Sequence, residues 1–171
     1  KSDRRVNKAE RRIRKELVVH TSVRGANTDL PRVLVAMSVI KDAERIGDYA
    51  KNIWDLAAGG VDLSGDDDAD RWLALRDRTS KSIAESARIY QERDTDAAHG
   101  LVQEMDEWTS AFDACVDEMM ASQGSARDAV SRALLCRYLK RITAHLMNVI
   151  SSLVMPVHRL DYYDEKKSDR E

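Results

Sequence analysis

The chain has 171 residues, 34% of them charged, and its 28 basic and 30 acidic side chains leave a formal charge of −2. That length suits one domain or two small repeats, and the near balance of charge supplies no overall basic field to draw in nucleic acid. Seven glycines and two prolines are too few turn formers for a β-sandwich, a barrel or a Rossmann sheet, whereas plentiful Ala, Leu, Arg and Glu suit long amphipathic helices. Composition alone therefore points to an all-α fold.

In chain order, the first expected helix covers about residues 3–24, where Val6, Ile13, Leu17 and His20 share one face and Gly25 stops it. A second runs from Leu30 to Ala58, with Asp29 as N-cap, Pro31 in the first turn and Gly59-Gly60 as the stop. The aspartate-rich stretch 62–70 reads as a solvated linker. The third helix carries Trp72, Leu75, Ile83, Ile89 and Tyr90 and runs to about Arg93. The fourth shows the cleanest seam, Leu101, Met105, Trp108, Phe112, Cys115 and Met119 in steps of four and three, and Gly124 ends it. Ser125 and Asp128 suggest a capping box for the last helix, which runs to about Pro156 before a charged tail. Five long helices with mostly short connections predict an antiparallel bundle.

Cys115 and Cys136 both fall in apolar helical stretches and read as free, buried thiols. The longest apolar run, residues 146–157, is about 12 residues against the roughly 20 that a membrane span needs. The expectation is a cytoplasmic domain with no transmembrane segment and no nucleic-acid partner.

An internal repeat is the most informative feature. Glu44-Arg45-Ile46-Gly47-Asp48-Tyr49-Ala50-Lys51-Asn52-Ile53 aligns, 96 residues later, with Lys140-Arg141-Ile142-Thr143-Ala144-His145-Leu146-Met147-Asn148-Val149. The arginine, the isoleucine and the asparagine recur in register.

At these residues the chain resembles the PhoU family of bacterial phosphate-signalling proteins, whose pattern stands nearly complete at Glu44 to Ile53. Asp3, Asn7, Glu10 and Asn52 support the match, as does Asp29-Leu30 at the start of the next helix. The resemblance implies two tandem three-helix repeats. Here residues 1–60 form the first, with only two helices present, 61–70 an acidic linker, 71–160 the second repeat with three helices, and 161–171 a charged tail. The family's first helix is expected to lie upstream or to come from another molecule, and the apolar stripe Val6, Ile13 and Leu17 then predicts self-association, a dimer or other homo-oligomer.

Glu44 and Asp48 are four residues apart, so their carboxylates lie on one helix face and suit a cation such as iron, zinc, magnesium or manganese. The resemblance implies such a use in iron or zinc clusters, with Asp42 as an outer ligand. The competing reading is a solvated mixed-charge stripe of Lys41, Glu44, Asp48, Lys51 and Asp55. In the second repeat the acid positions are Lys140 and Ala144, which offer no ligand at neutral pH; His145 beside them aligns with Tyr49, so that site reads as degenerate. The Lys140-Arg141 pair could instead receive an anion or an acidic partner. Glu16 with His20 and Asp96 with His99 read as surface pairs or caps.

The resemblance implies a non-enzymatic regulator of phosphate uptake and phosphate-starvation signalling that docks on a phosphate-import ABC transporter and a sensor histidine kinase. Two alternatives stay open: the cytosolic domain of a sodium-phosphate cotransporter, or a metal-dependent bundle enzyme or metal store. Residues 1–16 hold eight bases against three acids, a local +5, which is either a solvated face or a docking surface for an acidic partner or an anionic membrane.

Overall fold

A computed structural model describes residues 2–63 and 68–164. Six α-helices occur among them: α1 (Ser2–Arg24), α2 (Leu30–Ala58), α3 (Ala69–Glu92), α4 (Thr95–Trp108), α5 (Ser110–Ala121) and α6 (Ala126–Ser151). No strand is present among the described residues, so the fold is the all-α bundle that composition requires. Residues 64–67 of the acidic linker, residues 165–171 of the charged tail and the side chain of Asp3 lie outside the described residues.

The expected fourth helix is the combined path of α4 and α5. Thr109 between them keeps helical dihedrals (φ −61°, ψ −30°), and its N–H still donates to Met105 O at 3.1 Å. The Thr109 and Ser110 hydroxyls donate back to the carbonyls of Asp106 and Glu107, which competes with the next backbone bonds and tightens the turn. The seam passes through this point in register: Leu101, Met105, Trp108, Phe112 and Cys115 are all buried.

Local signals set most helix ends. The Asp29 carboxylate accepts from the Arg32 N–H at 3.2 Å, and Asp94 accepts from Ala97 N–H at 3.0 Å. Ser125 does occupy the N-cap of α6, but its side chain makes no capping bond, so the capping box is absent. Helix α6 also stops at Ser151, five residues short of Pro156. There the Ser151 and Ser152 hydroxyls donate back to Asn148 O and Val149 O, and the residue before Pro156 is disfavoured in helical geometry.

The buried core lies in α3 to α6, and α6 is its centre, touching α2, α3, α4 and α5. Along α3 the inward stripe is Trp72, Leu75, Thr79, Ser82, Ser86 and Ile89, whereas Ile83, which looked apolar enough for the core, is exposed. Thr79 and Ser82 donate to their own helix carbonyls, Leu75 O and Arg78 O, so their hydroxyls enter the core satisfied and their small size lets helices approach. Arg71 on α3 grips Glu118 on α5 with two bonds of 2.6 and 3.1 Å. That pairing holds the Glu118 carboxyl below its ordinary pKa and the Arg71 guanidinium above.

Cys115 on α5 and Cys136 on α6 form a disulfide, which corrects the reading of two free thiols. Both residues are fully buried, at 0% exposure. Two apolar faces that pack on one another brought the sulfurs together, and neither sequence position announces its partner.

Helices α1 and α2 form a hairpin in which Asp42 is the only buried residue among those described. Val6, Ile13 and Leu17 are half-buried against α2 rather than open. The exposed aliphatics lie at the hairpin tip instead: Val18, Val19 and Val23 of α1, and Leu30 and Leu34 of α2.

Candidate functional site

The two motif segments lie on α2 and α6, the two helices in most extensive contact. Asp42 sits in α2 and is turned toward α6, where its Oδ1 lies 2.8 Å from His145 Nδ1. Both side chains are nearly closed to solvent, 10% and 7% exposed. Arg141, one turn earlier on α6, approaches the other ring nitrogen, Nη2 to Nε2 at 3.2 Å. An arginine only donates, so Nε2 accepts, and Nδ1 carries the proton given to Asp42.

Tyr49 completes this cluster. Its ring stacks on His145 with centroids 5.8 Å apart and planes at 20°, and it lies 6.0 Å from the Tyr138 ring. The Arg141 guanidinium lies over Tyr49 at 5.9 Å. The repeat offset of 96 relates Asp42 to Tyr138 and Tyr49 to His145. The contacts Asp42–His145 and Tyr138–Tyr49 are thus the same pair of motif positions met twice in reciprocal fashion. That is the signature of a pseudo-twofold interface, in which position i meets j and j meets i.

The acidic motif faces elsewhere. Glu44 follows Asp42 by two residues, about 200° around the helix, and lies on the side toward α1. Lys41 Nζ is 2.6 Å from Glu44 Oε2 and 3.9 Å from Glu10 Oε1, and Arg14 Nη2 is 3.0 Å from the same Glu10 oxygen. The α1–α2 groove therefore gathers Asn7, Glu10, Lys41 and Glu44, with Asp48 half-buried one turn on; a Cβ added at Gly47 would lie 3.8 Å from Val6. Asn52 is half-buried further along α2.

These placements bear on the expected metal. Glu44 and Asp48 share a face, as their spacing requires, but Asp42 points away into α6 and is not beside them. Among the described residues no group of three or more His, Cys, Asp or Glu side chains is arranged to hold a metal ion. The charge of Glu10 and Glu44 is met instead by the ammonium of Lys41 and the guanidinium of Arg14. As placed, this donor set does not fit a multinuclear cluster.

In the second repeat, Lys140 Nζ lies 2.6 and 2.5 Å from the two oxygens of Asp113 on α5, and Ala144 is buried. The acidic partner open to Lys140 is thus internal, and Arg141 is engaged by His145 and Tyr49, so this pair is no vacant anion site. His145, which looked incidental beside a dead motif, is the residue that joins the two segments. Its signal in the sequence is weak: a histidine at a tyrosine position, with Asp42 103 residues away.

Among the described residues no helix is long and apolar enough to cross a membrane. Residues 1–57 match the PhoU domain family. The chain is 25% identical over 133 residues, 74% of its length, to a protein of Clostridium acetobutylicum named "Phosphate-specific transport system accessory protein PhoU homolog". It spans 59% of that relative's length. No solved structure matches it to a significant degree. The family resemblance of this chain, first legible at Glu44 to Ile53, is to the PhoU proteins, and it is shown by a domain match over residues 1–57 together with a relative that follows the chain well beyond them.

Proposed function

We propose that the chain is a non-enzymatic, PhoU-like regulator of phosphate uptake that works by docking on components of a phosphate transport system. The observation that carries this reading is the PhoU domain match over the segment that holds Glu44 to Ile53, extended by a relative named as a phosphate transport accessory protein. The geometry is compatible with such a role. The motif helix α2 is clamped to α6 on one face and keeps a charged groove with α1 on the other, so a partner engaging the hairpin is mechanically coupled to the core. On this reading the two repeats are residues 1–60 and 71–160, and the partners are an import ABC transporter and a sensor kinase on the cytoplasmic side.

The test is a phosphate-starvation reporter in a bacterial strain that lacks its own PhoU protein. Expression of this chain should return the reporter to its repressed level at high phosphate. A reporter that stays fully induced, with the protein present at normal abundance, overturns the reading.

Iron, zinc, magnesium or manganese at Glu44 and Asp48 is a separate proposal that rests on their shared face and requires Lys41 to swing aside. Metal content of the purified chain that falls with Asp48→Ala supports it; equal content in the parent and the variant removes it.

A further inference from the structure

Helix α1 carries eight bases and three acids over Ser2–Arg24. It packs against α2, and among the described residues it makes no other sizeable helix contact. Val6, Asn7, Glu10, Ile13, Arg14, Leu17 and Thr21 form its half-buried face. Opposite them, Arg5, Lys8, Arg12, Lys15, Val19 and Val23 recur at spacings of three and four, and all six are exposed. One continuous outer stripe is therefore basic for its first half and aliphatic toward the hairpin tip. Val19 and Val23 are 52% and 81% exposed, and at the same end of the hairpin Val18, Leu30 and Leu34 are 60%, 53% and 49% exposed. Glu16, beside the stripe, is paired with Arg12 at 3.4 Å.

We propose that this stripe docks on an anionic phospholipid surface, tip first. At 1.5 Å per residue, Lys15 and Arg12 stand roughly 6 and 10 Å along the helix axis from Val19, and Val23 lies about 6 Å further toward the tip. Val19 and Val23 entering the acyl boundary to a depth of about 5–10 Å leave the stripe's four bases, Arg5, Lys8, Arg12 and Lys15, at headgroup level, while Arg24 at the end of α1 must snorkel back beside Val23. Two copies covering each other in parallel along this stripe would bring bases against bases, which opposes that mode of association. An acidic protein surface would use the charges but leave five exposed aliphatics unexplained. This inference stands apart from the phosphate-regulator reading and needs only the α1–α2 hairpin.

The experiment is flotation of the full chain with vesicles of phosphatidylglycerol and phosphatidylcholine, compared with phosphatidylcholine alone, at low and high salt. Binding should require the anionic lipid and weaken as salt shortens the Debye length from about 10 Å to about 3 Å. Lys8→Ala with Lys15→Ala should weaken binding roughly 25-fold, about fivefold per base. Val19→Ser with Val23→Ser should weaken it about tenfold and remove what survives high salt. All four positions are exposed, so helix content and melting temperature should match the parent. Equal binding to both vesicles, no binding, or binding unchanged in the two double variants overturns the proposal. So does capture by poly-glutamate without vesicle binding, which points to an acidic protein surface. A dimer in light scattering that Val19→Ser with Val23→Ser dissolves would show that a second copy covers the tip, and also overturns it.

Discussion

Asp42 and His145 form a buried pair across α2 and α6, and burial decides what that pair is worth. A carboxylate on a side chain only 10% exposed needs its partner, because removing the imidazole leaves charge in a poorly solvated site. His145→Leu should therefore cost about 3 kcal/mol in urea unfolding. Asp42→Leu combined with His145→Leu should cost clearly less than the sum of the single changes, with a coupling of about 1–3 kcal/mol. Strict additivity would mean that the 2.8 Å contact contributes nothing of its own. Glu44 illustrates the opposite case. It lies two positions along the same helix and faces α1, where Lys41 and Arg14 already supply positive charge to the groove. Residue type and spacing foretold that Glu44 and Asp48 would share a face. They also put Lys41 beside Glu44 on one helix, but not Glu10 and Arg14 beside Lys41, because Lys41 and Glu10 meet only when α1 folds against α2.

Helices α5 and α6 are held by a disulfide, an apolar seam and the Lys140–Asp113 pair. The bridged residues are 21 apart, so in the chain-entropy model closing that loop contributes about 3 kcal/mol. Cys136→Ser, or reduction of the native chain, should lower stability by about that amount in a denaturant melt. The intact oxidised protein should weigh two hydrogens less than the reduced one. Identical melts for the two forms would show that packing alone holds α5 to α6. The helices themselves were largely legible. Asp29, Pro31 and the glycine pair after Ala58 delimit α2 through backbone chemistry that acts within a few residues. The inward face of α3 was not, because Thr79, Ser82 and Ser86 sit where an apolar pattern was sought. The Thr79 and Ser82 hydroxyls, bonded to their own helix carbonyls, pack as small neutral groups, and hydropathy alone does not register that.

The whole molecule is organised by α6, which is buried along most of its second half and contacts four other helices. The reciprocal contacts of Asp42 with His145 and Tyr138 with Tyr49 give the internal repeat a physical meaning, since repeated positions meet about a pseudo-twofold relation. By itself the sequence determined the helical class, the bounds of α2, the seam through α4 and α5, the register of the repeat and the family resemblance. Each of these rests on chemistry between near neighbours or on periodicity along one helix. Only the tertiary structure decided that the cysteines are joined, that Asp42 turns from the acidic motif to His145, that Lys140 is answered by Asp113, and that the hairpin tip presents its aliphatics outward. Those outcomes join residues tens of positions apart, and which face meets which is set by the packing of whole helices.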